Sequence, residues 1–194
     1  MRRRAMCWVS IRQMVVSFAR HKVTDPRTKF QIGDAQKLPL ADSSFDSAVA
    51  GLAINFIPDQ AKAVREMARV TRSGGVVAAY VWDYSGEMQM MRRFWDAAVA
   101  LDPNAAPLDE GHRFPVCRPE PLSDLFEQAG LDSVAVRSID TPTIFKDFDD
   151  YWTPFLGGQA PAPGYCTRFL RNAVLLYATT LRRASLLARM AASI

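Results

Sequence analysis

Residues 45–55 read Phe-Asp-Ser-Ala-Val-Ala-Gly-Leu-Ala-Ile-Asn, an apolar run broken by a single charge, Asp46. A strand with one wet face alternates apolar and polar residues. A continuous run of this length predicts instead a strand buried on both faces of a parallel sheet. Parallel neighbours are joined by crossovers, usually helical, so the flanking chain has to supply helices and further strands.

It supplies them in alternation. Residues 9–22 predict a helix with Val9, Met14, Val15 and Phe18 on one side and Val23 just beyond. Phe30-Gln31-Ile32 predicts a short strand that stops at the turn Gly33-Asp34. Pro58-Asp59 opens a helix over 59–70, with Ala63, Val64, Met67, Ala68 and Val70 at helical spacing. Ser73-Gly74-Gly75 ends that helix, and 76–82 predicts the next strand. A helix over 88–101 carries Met91, Phe94, Trp95 and Ala98 on its apolar face, and another runs over 119–129 between Pro119 and Gly130. Residues 134–139 and 143–146 predict two strands joined at Asp140-Thr141-Pro142. The alternation argues an α/β fold with a parallel sheet, and the final pair argues an antiparallel hairpin edge.

The net charge of +4 hides an uneven distribution. All 20 acidic residues lie between Asp25 and Asp150, while residues 1–24 and 165–194 carry basic side chains only. The middle resembles an ordinary acidic cytoplasmic domain, and the ends belong to another compositional regime. The basic residues do not interleave with aromatics, so no nucleic-acid partner is expected. Cys7, Cys117 and Cys166 are single and distant, which fits neither a disulfide framework nor a metal site and points to a reduced, cytoplasmic setting. The uncharged apolar stretch 47–58 is too short to form a transmembrane segment.

Three motifs follow one another in order: Gly33-Asp34-Ala35-Gln36-Lys37-Leu38-Pro39-Leu40, then Ser44-Phe45-Asp46, then Ser73-Gly74-Gly75. This series resembles class I S-adenosylmethionine-dependent methyltransferases over residues 29–150, and among them the type 11 branch that includes the quinone-biosynthesis enzymes. The resemblance implies a Rossmann-like sheet, S-adenosylmethionine as cofactor and a small-molecule methyl acceptor. It divides the chain into a basic N-terminal segment with one helix (1–28), a methyltransferase-like domain (29–150) and a basic, helical tail (151–194).

Carried over residue by residue, the resemblance implies that Asp34 accepts a hydrogen bond from the adenine amino group and that the Ala35 backbone N–H meets the ring. Ala53 and Asn55 then fall beside the methionine part of the cofactor, where Asn55 could orient cofactor or acceptor. Asp83 is a candidate base and Tyr84 or Trp82 a candidate wall against the acceptor. His112, the one histidine in the matching region, is a candidate general base. Each has a plainer reading. Asp34 and Asp83 suit turns, Asn55 suits a helix entry, and His112 suits a solvated loop. No cluster has metal-ligand spacing, His21 has no partner in view, and no G-x-S-x-G nucleophile turn is present.

The departures from the family matter as much. All ten glycines lie at or after Gly33, and no acid precedes Asp25. The resemblance therefore implies that the first two strands are missing, and with them the G-x-G cofactor turn and the acid that holds the ribose. The strand at 30–32 would lack its neighbour, and the strand at 45–55 would have an open edge. Two accounts stand: a truncated, inactive methyltransferase, which is favoured, or a non-catalytic interaction module whose basic ends bind an acidic partner or an anionic membrane. For the second, 168–190 would form a membrane-surface helix. A nicotinamide-dependent enzyme is disfavoured, since its G-x-G-x-x-G turn is absent.

Overall fold

A computed structural model describes residues 6–9, 13–157, 160–168 and 182. Most of the basic tail, including nearly all of 168–190, lies outside the described residues. The chain forms two compact units, Met1–Val81 with Asp124–Val134, and Trp82–Ser123 with Ala135–Ile194.

The first unit opens with strand β1 (Met6–Val9), helix α1 (Gln13–Lys22) and strand β2 (Lys29–Ile32). The two strands pair in parallel, Cys7 opposite Phe30 and Val9 opposite Ile32. This corrects the expectation that 30–32 has no neighbour, and one strand stands where two were expected to be missing. Cys7-Trp8-Val9 are strand-favouring residues, and the helix expected from residue 9 starts only at Gln13. It buries Val16 rather than Phe18, which is 64% exposed.

Strand β3 (Phe45–Gly51), helix α2 (Gln60–Val70) and strand β4 (Thr71–Tyr80) form a second parallel unit. Asp59 caps α2 by accepting the Lys62 N–H at 2.8 Å. Ala63, Val64, Met67 and Val70 are buried at the helical spacing expected, and each of the larger side chains contributes about 1.5–3 kcal/mol. The pairs β1–β2 and β3–β4 are separate two-stranded sheets.

Two expectations change here. Gly74-Gly75 does not precede the strand but lies inside it, because β4 begins at Thr71. A Cβ on Gly75 would sit 2.6 Å from the Asp46 carbonyl oxygen and 2.5 Å from Thr71 Cγ2, so only glycine lets the strands approach there. The second concerns burial. Ala48, Ala50, Val77 and Ala79 are half-buried on one face of the pair. Val49 (64%), Val76 (62%) and Tyr80 (51%) share the other face and are exposed. The apolar run marked a strand but could not tell which face finds a partner.

In the second unit, helix α3 (Gln89–Leu101) is followed by α4 (Glu110–Arg113), and α5 (Pro119–Glu127) carries the division between the units. Helices α6 (Phe148–Trp152) and α7 (Pro161–Arg168) close the described chain. Phe94 and Trp95 of α3 are fully buried, and the Phe94 ring stacks on Phe155 with centroids 4.4 Å apart. Tyr151 donates its hydroxyl to the Met90 carbonyl at 3.0 Å.

The expected hairpin is absent. Residues 134–139 and 143–146 carry no strand, and Ile139 and Ile144 are 78% and 87% exposed. An isolated hairpin is marginal in water, and Asp140-Thr141-Pro142 offers no glycine or asparagine for a tight primed turn.

Candidate functional site

Asp34 stands two residues past the end of β2, at the carboxyl end of a parallel strand, where open α/β sheets bind ligands. Its Oδ1 accepts from the Gln36 backbone N–H at 2.9 Å and from Gln36 Nε2 at 3.1 Å. These bonds favour the carboxylate and hold Asp34 below its ordinary range. Gln36 Oε1 in turn accepts the Asp59 N–H at 3.0 Å. The side chain of Gln36 thus ties Asp34 to the start of α2. Sequence reading missed Gln36, whose partner Asp59 lies 23 positions away.

The chain leaving β3 reaches the same helix. Leu52 adopts a left-handed conformation (φ 51°) and donates its N–H to the Tyr80 carbonyl at 2.9 Å. Ala53 then leads into a 3-10 turn, Ile54–Phe56, that precedes α2. Asn55 is 5% exposed, and its Nδ2 has no hydrogen-bond partner among the described residues. A buried amide donor without an acceptor is costly, and a ligand carbonyl or carboxylate would satisfy it.

The segment between Asp34 and β3 is held from below by α2. Arg69 donates to the Leu38 carbonyl at 3.0 Å and the Leu40 carbonyl at 2.8 Å. Glu66 accepts the Leu38 N–H at 2.8 Å and grips Arg69 through both oxygens. The Arg69 contact lowers the Glu66 carboxyl's affinity for its proton, and the Leu38 bond adds to this against the opposing effect of burial.

The catalytic candidates fall in the second unit. Asp83 is occupied as a turn residue, accepting from the N–H groups of Gly86 at 3.0 Å and Glu87 at 2.9 Å. Tyr84 is buried, tilted against Phe114 at 5.7 Å, and burial beside Glu110 pushes its phenol up to about 12. His112 is placed in α4 rather than in a loop, 68% exposed, with Nδ1 3.4 Å from Asp109 Oδ2. Gly111 packs on the Tyr84–Ser85 backbone, where a Cβ would meet the Tyr84 oxygen at 3.1 Å, so the structure does bring His112 and Tyr84 into one neighbourhood.

That neighbourhood contains charges the sequence did not reveal. Asp109, 3% exposed, takes both terminal nitrogens of Arg92 and the Gly111 N–H. Burial would raise its pKa, but the Arg92 and Gly111 bonds outweigh this and lower it. Glu110, 4% exposed, accepts the Trp95 indole N–H at 2.5 Å, and burial raises its pKa despite that bond. The adjacent acids Asp109-Glu110 and the i, i+3 pair Arg92/Trp95 were the available signal. Among the described residues no group of His, Cys, Asp and Glu could hold a metal ion, and no helix is long and apolar enough to cross a membrane.

Residues 4–79 match the model of the methyltransferase domain family. Over these residues the chain is similar to that family. The match starts ahead of Lys29 and takes in β1 and α1, so the likeness extends further toward the N-terminus than the motifs indicated. A demethylmenaquinone methyltransferase of Roseiflexus sp. (strain RS-1) is 35% identical over 133 residues, covering 61% of this chain and 54% of the relative. A 2-methyl-6-phytyl-1,4-hydroquinone methyltransferase of Synechocystis sp. is 28% identical over 137 residues, covering 70% and 42%. The chain spans about half the length of the curated relatives it matches. The crystal structure of the YcgJ protein from Bacillus subtilis superposes with a TM-score of 0.50 at 21% identity, covering 87% of this chain and 69% of that one. The fold is Rossmann-like.

The residues offer polar groups that would suit the two ends of S-adenosylmethionine, but none for its ribose. The held carboxylate of Asp34 suits an exocyclic amine, and the orphaned Asn55 Nδ2 suits a carboxylate or carbonyl. β1 occupies the place beside β2 where a ribose-binding acid would be expected, but it ends in Val9, and no acid precedes Asp25.

Proposed function

We propose that the chain carries the adenine-recognising portion of an S-adenosylmethionine-dependent methyltransferase that acts on a small-molecule acceptor. The quinone-type names of two relatives are a precedent for that acceptor. The observation that carries the proposal is the Asp34 carboxylate, fixed by Gln36 at the carboxyl end of β2. When bound, the cofactor supplies an already activated methyl group, so the protein mainly binds, aligns and excludes water. In this reading Asp34 accepts from the adenine amino group, with Ala35 next to it, and Asn55 donates to the cofactor's amino-acid end. Ala53 leads the chain into that position. Of the three catalytic candidates, Asp83 is engaged by turn N–H groups and Tyr84 is too weak an acid to be ionised at neutral pH, which leaves His112 as the candidate proton acceptor.

Residues 1–32 offer no glycine and no acid before Asp25 for the ribose, and for these residues two or three hydrogen bonds fewer, at about 1–3 kcal/mol each, would take a micromolar site to about millimolar. Calorimetry and NMR titration with S-adenosylhomocysteine test this. Weak binding that perturbs Asp34 and is lost in Asp34→Ala supports the proposal. Micromolar binding would refute the weak-site account, and saturation without any response at Asp34 would refute the assignment of adenine.

A further inference from the structure

We infer that Gln36 is a positioning residue that sets the orientation of the Asp34 carboxylate toward its ligand and couples it to the start of α2. The inference rests on the reading of Asp34 as the adenine contact and names the residue through which that contact is tuned.

Three hydrogen bonds define the device. The Gln36 backbone N–H and its Nε2 both reach Asp34 Oδ1, at 2.9 and 3.1 Å, and Oε1 accepts the Asp59 N–H at 3.0 Å. Asp59 is the residue that caps α2. The amide can serve both ends in one orientation only. Flipped, it would turn its oxygen toward a carboxylate and its NH2 toward an N–H. The polarity of the two partners therefore fixes the side chain, and the side chain fixes the plane of the carboxylate.

The effect matters because Asp34 is exposed. An unrestrained surface carboxylate samples several rotamers, and ordering it on ligand binding costs free energy. Two donors converging on Oδ1 supply that order in advance and leave Oδ2 as the oxygen that no Gln36 donor engages. The chemistry is selective for glutamine. Glutamate would keep an acceptor for Asp59 but set a second negative charge against Asp34. Leucine would fill similar space and serve neither end.

The test uses the full chain with Gln36→Glu and Gln36→Leu, each checked by far-UV circular dichroism. Three signals are read: the NMR titration of the Asp34 carboxyl, hydrogen exchange at the Asp59 amide, and S-adenosylhomocysteine binding. In Gln36→Glu the Asp34 titration moves upward while Asp59 protection is retained. In Gln36→Leu the titration moves and the protection falls. Both variants bind S-adenosylhomocysteine about tenfold more weakly than the parent, the consequence of losing an oriented hydrogen bond. An Asp34 titration unmoved in Gln36→Glu would overturn the role of Gln36, whatever the ligand does. If the titration moves but S-adenosylhomocysteine leaves Asp34 of the parent chain undisturbed, the adenine assignment is refuted, and the ligand-directed role falls with it.

Discussion

Arg69 and Glu66 sit one turn apart on α2 and bind each other through two parallel contacts of 2.8 Å, while both reach out to the backbone around Leu38. The pair is therefore less a surface salt bridge than a clamp. It hydrogen-bonds the segment that follows Asp34 at both its N–H and C=O groups, which side-chain packing alone would not satisfy.

Replacing Arg69 by alanine frees the Leu38 and Leu40 carbonyls and leaves Glu66 without its cation. A loss of about 2 kcal/mol is expected in urea unfolding. Arg69→Lys recovers only part of it, because an ammonium cannot form the two-pronged contact. The Glu66 carboxyl has its folded pKa below the unfolded value, so this stabilisation is present above pH 4.5 and is lost as pH falls through the folded value. A difference between parent and Arg69→Ala that stayed constant down to low pH would show the clamp to be non-ionic.

Glu110 predicts the opposite sign. Its folded pKa lies above the ordinary 4.5, so its contribution is fully favourable below that pH and is lost as pH rises through the folded value. Glu110→Gln keeps an oxygen for the Trp95 indole and removes the buried charge. It should stabilise the protein at pH 7, with the gain vanishing below pH 4.5. Glu110→Ala leaves the Trp95 N–H unpaired and costs about 1–3 kcal/mol. Thermal melts of the three proteins at several pH values distinguish these outcomes.

Asn55→Leu separates stability from binding. Exchanging an unsatisfied buried amide for an apolar side chain of similar size is neutral or stabilising, by up to about 1 kcal/mol. The same change removes the donor proposed to meet the cofactor. A higher melting temperature together with loss of the S-adenosylhomocysteine signal is the expected pair of results. A large destabilisation would mean that Asn55 has a structural partner.

Gly75→Ala tests the strand junction. The new methyl group would meet the backbone oxygens of Asp46 and Arg72 at 2.6 and 2.8 Å, and backbone yields less readily than a side chain. A loss of about 2 kcal/mol or more is expected by chemical denaturation. Gly164→Ala, where nothing lies within 4 Å, serves as the control.

Sequence reasoning succeeded where a signal is local. Helix α2 announced itself through Asp59 and the spacing of Val64, Met67 and Val70, and α3 through Met91, Phe94 and Trp95. Asp34 was placed at a strand end by the Gly-Asp turn alone. It failed where a partner is distant. The strand at Met6–Val9 is four residues long and is fixed by pairing with residues more than twenty positions away. Gly75 was read as a stop because its close approach to Asp46 lies across two strands. Glu110 was not singled out, since the indole that holds it comes from Trp95, fifteen positions earlier. The segment 134–146 has strand-forming side chains but no paired neighbour, which composition cannot register.

The two parallel strand pairs also bear on the order of folding. Pairing Met6 with Lys29 closes a loop of 23 residues, and pairing Ser47 with Val76 closes one of 29. Loop-closure entropy grows so slowly that the two differ by only about 0.2 kcal/mol. Entropy therefore does not choose between them, and burial does. The crossover between β3 and β4 contains α2, whose Ala63, Val64, Met67 and Val70 are buried. The β3–α2–β4 unit is the nucleus expected to form first.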